Sequence, residues 1–285
     1  MGGSVAAAGV GVGVGLGGGD AVGEAVGGSY LFDNGSVHAA GQHRCLAAWL
    51  DPISVGALRA GGVGPGMRCL DVGTGAGSVA VWLAGQVAPG GSVLATDLVP
   101  LPVPARSGLT VRRHDVVRDP LPEGAFDLVH VRLVLSHLPE REAVLAKLFA
   151  ALRPGGVLHL LEFDAEYAPV LTVPDERDRE LYERYQRAKL RAFRARGSHQ
   201  GWGRECAGAL VRAGFTGVEA EARIGMLAPG TPQLEMQLHN TWHLRGALLR
   251  EGLTEDELAR LRGMFGDPRF LACSNVVYAV HGRRP

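Results

Sequence analysis

The chain has 285 residues, 46% of them apolar and 20% charged, enough to bury a sizeable core. Its 29 Lys and Arg are matched by 29 Asp and Glu, so no net charge draws it to nucleic acid or to an anionic membrane. Cys45, Cys69, Cys206 and Cys273 are widely spaced and form no C-x-x-C pair; this argues against a zinc site or a disulfide framework and for reduced thiols in a cytoplasmic protein.

Residues 1–28 are nearly all Gly, Ala and Val, with Asp20 and Glu24 as the only charges. Such glycine density makes a poor helix and a poor membrane span, and the stretch lacks the Lys/Arg start of a signal peptide. A flexible tail is expected. Order should begin near Tyr30-Leu31-Phe32-Asp33-Asn34. A helical leader over 29–66 follows: one helix through Leu46, Trp49 and Leu50, then a second opened by Asp51-Pro52 and closed by the glycines around Gly61.

The run Leu70-Asp71-Val72-Gly73-Thr74-Gly75-Ala76-Gly77 reads as the end of a buried strand, a tight glycine turn, and a helix start at Ser78. That junction lets a ligand approach bare backbone at the positive end of a helix dipole. The next strand, Ser92–Asp97, ends in a second acid, where an acceptor can take both hydroxyls of a ribose. An open α/β sheet binding an adenosine-containing cofactor is implied. A dinucleotide fingerprint is G-x-G-x-x-G; here its third glycine is replaced by Ser78. A third strand, Leu109–His114, runs into Asp115-Val116, a fourth covers Phe126–Arg132, and Leu152-Arg153-Pro154-Gly155-Gly156 turns a helix into a fifth strand.

With Asp71 two residues ahead of Gly73-x-Gly75-x-Gly77, the loop resembles the D/E-x-G-x-G-x-G signature of class I S-adenosylmethionine (SAM)-dependent methyltransferases. The Asp97, Asp115-Val116, Phe126–Arg132 and Leu152–Leu160 segments follow in that family's order, and the leader is similar to that of actinobacterial small-molecule methyltransferases of natural-product biosynthesis. The resemblance implies a Rossmann-like α/β fold: a seven-stranded, mostly parallel, doubly wound sheet. The SAM-binding core would span 67–164, preceded by the leader. A helical substrate cap inserted between strands five and six, with strand six, would span 165–250, and a C-terminal helix and last strand 251–285. It further implies that Asp71, Gly73, Gly75 and Gly77 shape the methionine end. Asp97 would take the ribose, Leu98 would lie beside the adenine, Asp115 and Val116 would bind the base, and Arg132 would lie at the methyl-transfer site. Tyr30, Phe32 and Arg44 would close over the cofactor; alternatively Tyr30 and Phe32 only dock the leader on the core.

Beyond the fifth strand, Asp175–Arg196 spaces Leu181, Tyr182, Tyr185, Leu190 and Phe193 along one helical face. A helix over Cys206–Ala213 and a sixth strand over Gly217–Ile224 follow. Thr231–Arg250 and Thr254–Phe265 read as helices, the second opening on a Thr254-x-x-Glu257 cap, and Asn275–Val280 as the last strand. A sulfonium methyl is already activated, so positioning carries much of the chemistry, and a proton acceptor is needed for protonated nucleophiles. His130, His137, Glu162, His239 and His243 are the candidates; Glu235, His239 and His243 recur on one helical face, as a polar wall or a surface stripe, and no metal is expected. No Asn/Asp-Pro-Pro-Tyr element or Pro-Cys nucleophile follows strand four. The expected function is SAM-dependent methylation of an O, N or C atom of a small-molecule acceptor, releasing S-adenosylhomocysteine (SAH). The alternatives are a SAM-binding enzyme that does not methylate and a nicotinamide-dependent oxidoreductase. The acceptor is the partner expected, with neither nucleic acid nor membrane, and a homodimer is the assembly allowed.

Overall fold

The computed structural model describes residues 39–285; Tyr30, Phe32 and the glycine-rich stretch lie outside the described residues. The chain opens on α1 (Ala39–Ala60), then alternates β1 (Arg68–Val72), α2 (Ser78–Val87), β2 (Ser92–Asp97), β3 (Leu109–Arg113) and β4 (Phe126–Arg132). One turn of 3-10 helix (Leu135–His137) leads to α3 (Arg141–Ala151) and β5 (Leu152–Asp164). Then come β6 (Val170–Thr172), α4 (Glu176–Arg194), α5 (Trp202–Arg212), β7 (Thr216–Arg223), β8 (Met226–Leu227), α6 (Pro232–His243), α7 (Arg245–Arg250), α8 (Glu255–Phe265), β9 (Leu271–Cys273) and β10 (Val276–Arg283).

Seven strands form the main sheet in the order β3-β2-β1-β4-β5-β10-β7. β1 pairs parallel with β2 and β4, β2 with β3, and β4 with β5, while β10 is antiparallel to both β5 and β7. The strand order reverses between β1 and β4, so the crevice at their carboxyl ends is where an open α/β sheet binds ligand. Parallel strands covered on both faces read as continuous apolar runs, and β1 and β4 are buried almost throughout. One face packs Val129, Val131, Leu158 and Leu160 against Leu145, Leu148, Trp202 and Leu210 of α3 and α5. The opposite face packs Cys69, Val93 and Leu128 against Leu58 of α1 and Val79 and Leu83 of α2.

The leader differs from the expected pair of helices: α1 is continuous, with Pro52 inside it. An interior proline removes one backbone hydrogen bond, at a cost of about 3 kcal/mol. Burial on both sides of it offsets that loss, since Trp49, Leu50 and Ile53 all pack onto Leu161, Val277 and Met236. In the opposite sense, the single helix expected over 231–250 is broken at Leu244 into α6 and α7.

The cap expected after the fifth strand is joined by a second segment. β6 and α4 come from before the sixth strand, β7, while β8, α6, α7, α8 and β9 come from after it. The segments close a three-stranded antiparallel sheet, β6-β9-β8, over a core of Tyr182, Tyr185, Leu258, Leu261, Phe265 and Phe270. The last helix opens as the sequence implies: Thr254 and Glu257 form a reciprocal capping box. No helix among the described residues is long and apolar enough to cross a membrane. Thr254→Ala should lower the unfolding free energy by about 1 kcal/mol, the usual value of an N-cap, measured by urea denaturation.

Candidate active site

Three alternate glycines build the loop after β1. Gly73, Gly75 and Gly77 have φ of 69°, 53° and 79°, a region that side chains other than glycine rarely adopt. Space is equally restrictive, because a Cβ at Gly73 would overlap Val134 Cγ2 and one at Gly77 would fall 2.6 Å from Val103. At Gly75 it would stand 3.3 Å from the ring of His43. The result is a cradle of bare backbone facing a cavity of about 220 Å³.

Asp71 does not face that cavity. Its carboxylate is buried with a partner on each oxygen: Thr74 Oγ1 donates to one (2.6 Å) and His130 Nδ1 lies 2.6 Å from the other. Asp71 meets the cavity only through Thr74, which lines it. His130, considered as a proton acceptor, is displaced from that role: it sits behind the loop, 2% exposed, with Nε2 at 3.3 Å from Ser54 Oγ.

Asp97 stands at the carboxyl end of β2 and lines the cavity. The amide of Gly75 donates to its Oδ2 (2.9 Å) and that of Val99 to its Oδ1 (3.0 Å). Each carboxylate oxygen keeps a further lone pair for hydroxyl donors. Leu98, Asp115 and Val116 line the same wall. The Asp115 loop is held from below, because Lys147 Nζ donates to the carbonyls of Val116, Val117 and Asp119 at 2.8–2.9 Å. At the opposite end Arg132 donates to Asp51 Oδ1 (2.7 Å), which also accepts from Ser78 Oγ (3.0 Å). One acid of α1 thus ties the end of β4 to the start of α2.

Past Arg132 the backbone is strained: Leu133 has φ of 54°, an uncommon conformation for a branched residue that persists only where the surroundings enforce it. Glu162 supplies part of that enforcement. It is fully buried, and its Oε1 accepts from the amides of Val134 (3.1 Å) and Leu135 (2.8 Å). Burial pushes its pKa up to about 7, partly offset by hydrogen bonds from Ser136 and these amides. Glu162 does not line the cavity, which corrects its place among the proton acceptors; it holds the turn that does.

His137 does line the cavity, with Nδ1 at 3.2 Å from Ser198 Oγ, and burial lowers its pKa to about 4, leaving it neutral at pH 7. His239 and His243 do not line it among the described residues. His239 lies against Gly41 of α1, where a Cβ would meet its ring, and Glu235 on the same face accepts from Cys45 Sγ (3.7 Å). The stripe therefore packs α6 onto α1. Arg44 is exposed and off the cavity. Its neighbour His43 faces it instead, with a pKa lowered by burial. His43, Thr74 and His114 are among the lining residues that sequence reasoning passed over. The 100° step per residue of α1 is the signal that separates His43 from Arg44.

The cavity suits SAM. Its glycine cradle excludes side chains, and α2, capped by Gly77, has no side-chain cap bond and no acid in its first turn. The first amides thus remain available to a carboxylate. Asp97 and Asp115 offer acceptors at the other end. The antiparallel β10 beside β5, with β7 beyond it, departs from the 3-2-1-4-5-6 order of dinucleotide-binding sheets.

Glu162 makes stability pH-dependent. An acid whose pKa is raised in the fold contributes most below its unfolded value, near 4.5, and loses that contribution as pH rises through about 7. Thermal midpoints of the wild type should therefore fall between pH 5 and 8 relative to Glu162→Gln. The difference should approach ~3 kcal/mol at the alkaline end, read by calorimetry.

The family model described as a methyltransferase domain matches residues 47–220, more than half of the chain. Among curated proteins, methyltransferase str3 of Strobilurus tenacellus is 36% identical over 133 residues, 45% of this chain and 45% of that protein. The ubiquinone/menaquinone biosynthesis C-methyltransferase UbiE of Cupriavidus taiwanensis is 33% identical over 123 residues, 38% of this chain and 48% of that protein. The chain thus matches less than half the length of these curated relatives. A solved structure of Haemonchus contortus phosphoethanolamine N-methyltransferase 2 in complex with S-adenosyl-L-methionine has a TM-score of 0.50 at 16% identity, covering 86% of this chain and 56% of that one. On the family match and the sheet order together, the chain belongs to the methyltransferase-domain family, on the class I SAM-dependent fold.

Proposed function

We propose that the chain transfers a methyl group from SAM to an oxygen, nitrogen or carbon atom of a small, largely apolar acceptor, releasing SAH. The observation that carries this reading is the division of the cavity into two chemically distinct ends. Asp97, Leu98, Asp115 and Val116 reach the cavity from the ends of β2 and β3 on one side of β1, and Leu133, Val134 and Leu138 from the turn after β4 on the other, beside Leu46 and Ala47 of α1. The bound SAM would supply the activated methyl. Backbone around Gly73–Gly75 would hold its methionine end, Asp97 its ribose and Asp115 with Val116 its base.

No carboxylate stands at the aliphatic end of the described lining, so nothing there is built to anchor a cationic acceptor. His137 stands at this end and His43 between it and the Gly75–Asp97 pair, and burial holds both toward the neutral form. A neutral imidazole can accept the proton of a phenol or enol as its oxygen or carbon takes the methyl. The cap meets this end directly, since Ser198 follows α4 and lies against His137. The reading extends to natural-product tailoring on the similarity of the leader to that of actinobacterial small-molecule methyltransferases. A cytoplasmic setting is in keeping with four unpaired cysteines.

Incubation with SAM and a panel of phenolic and quinol acceptors should yield SAH and a product heavier by one methyl. SAM bound while a product of unchanged methyl content forms would favour the non-methylating alternative. Asp97→Ala removes charge-assisted acceptors for both ribose hydroxyls and one support of the Gly75 amide. SAH affinity should fall by at least roughly tenfold, with the fold retained, by isothermal titration.

A further inference from the structure

One polar contact at the cavity comes from the cap, and it decides which nitrogen of His137 carries a proton. The loop between α4 and α5 leaves Ser198 5% exposed, with its Oγ 3.2 Å from His137 Nδ1. That loop has little freedom to place it elsewhere. Gly197 has φ of 80°, and a Cβ there would fall 2.8 Å from Pro139. Arg141 Nη2 donates to the Gly197 carbonyl (3.0 Å), the His199 amide to the Ser136 carbonyl (2.7 Å) and the Ala165 amide to the Gln200 carbonyl (2.8 Å). Phe193, near the end of α4, packs on the imidazole with ring centroids 5.9 Å apart.

Among the described residues the Ser198 hydroxyl has a single hydrogen-bond partner, that ring nitrogen. A buried hydroxyl left without an acceptor is costly, so Ser198 donates and Nδ1 accepts. The one proton of a neutral imidazole then sits on Nε2. Burial lowers the pKa to about 4, which makes the ring a poor base at neutral pH and keeps it a neutral N–H donor. His137 is half-buried and lines the cavity. With Nδ1 turned to the cap, the opposite edge of the ring, carrying Nε2–H, is the one left for the acceptor.

A base and an N–H donor favour different acceptors. An N–H held at a carbonyl oxygen stabilises the enolate and occupies a lone pair of that oxygen, which leaves the α carbon as the nucleophile. We propose that His137 is a catalytic hydrogen-bond donor to the oxygen of an enolisable carbonyl acceptor, that this acceptor takes the methyl on carbon, and that Ser198 is the positioning residue that fixes the tautomer. The α-carbon proton passes to His43, the enolate carbon forms the new C–C bond, and the electron pair of the broken S–CH3 bond stays on sulfur as SAH leaves. This assignment rests on the methyl-transfer reading above and narrows its reacting atom to carbon.

Imidazole nitrogen spectra of the full chain saturated with SAH, assigned against His137→Gln, test the tautomer. The expected result is a protonated Nε2 and a bare Nδ1 on His137, with that pattern lost in Ser198→Ala and kept in Ser198→Thr. Incubation with SAM and 4-hydroxycoumarin, an enolised 1,3-dicarbonyl, should give the carbon-methylated product. Its turnover should fall roughly a hundredfold in His137→Leu and be largely kept in His137→Gln, whose amide donates near the Nε2 position and takes up no proton. SAH affinity should stay unchanged in all four variants. A proton on Nδ1, equal losses in His137→Gln and His137→Leu, a methyl on oxygen, or no methylation of 4-hydroxycoumarin would overturn the proposal. Methylation of phenols or quinols alone would overturn it while leaving the methyl-transfer reading intact, whereas a folded chain that binds no SAH would remove both.

Discussion

Burial of Asp71 between Thr74 and His130 is the constraint on which the rest of the site depends. A carboxylate taken out of water is tolerated only when its oxygens are satisfied, and here the two partners pull in different directions. Thr74 belongs to the glycine loop, while His130 belongs to β4 and reaches Ser54 of α1. One side chain thereby fixes the loop to the adjacent strand and to the leader helix. A loop of three left-handed glycines has no side chains of its own to hold its shape, so external ties of this kind set where its amides point.

The same logic runs around the cavity: groups that touch it are held by polar partners on neighbouring elements. Asp97 supports Gly75, Lys147 supports the Asp115 loop, Asp51 gathers Arg132 and Ser78, and Glu162 holds the strained turn after Leu133. Each of these holds backbone or a charge in one geometry before ligand arrives, which lowers the ordering cost of binding. The aliphatic end is built differently. Its walls come from α1 and the turn after β4, with Ser198 after α4 set against His137.

The parallel core was legible in the sequence because its signals are local. The glycine loop, the acids ending β2 and β3, and the Pro-Gly-Gly turn before β5 each declare a strand end through residue type and spacing alone. Arrangements set by partners distant in sequence were not legible. Whether α1 bends at Pro52 depends on Leu161, Val277 and Met236. The small sheet of the cap needs β6 and β9, far apart in the chain, to meet. Among site residues, the motif placed Gly73, Asp97, Leu98, Asp115, Val116 and Arg132 at the cavity, yet a motif does not say which way a side chain turns. Glu162 and His130 therefore proved to face the protein interior, and His43 lines the cavity where Arg44 was expected. The alignment of Asp71, His130, His159 and His281 across β1, β4, β5 and β10 was equally hidden, since it requires the strand register.

The central claim is that the cradle between β1 and β4 receives SAM rather than a dinucleotide. Isothermal titration of the full chain with SAH and, separately, with NAD tests it most directly. Saturable binding of SAH with no heat from NAD is the predicted result. Binding of NAD without SAH, or of neither ligand by folded protein free of co-purified SAH, would contradict it.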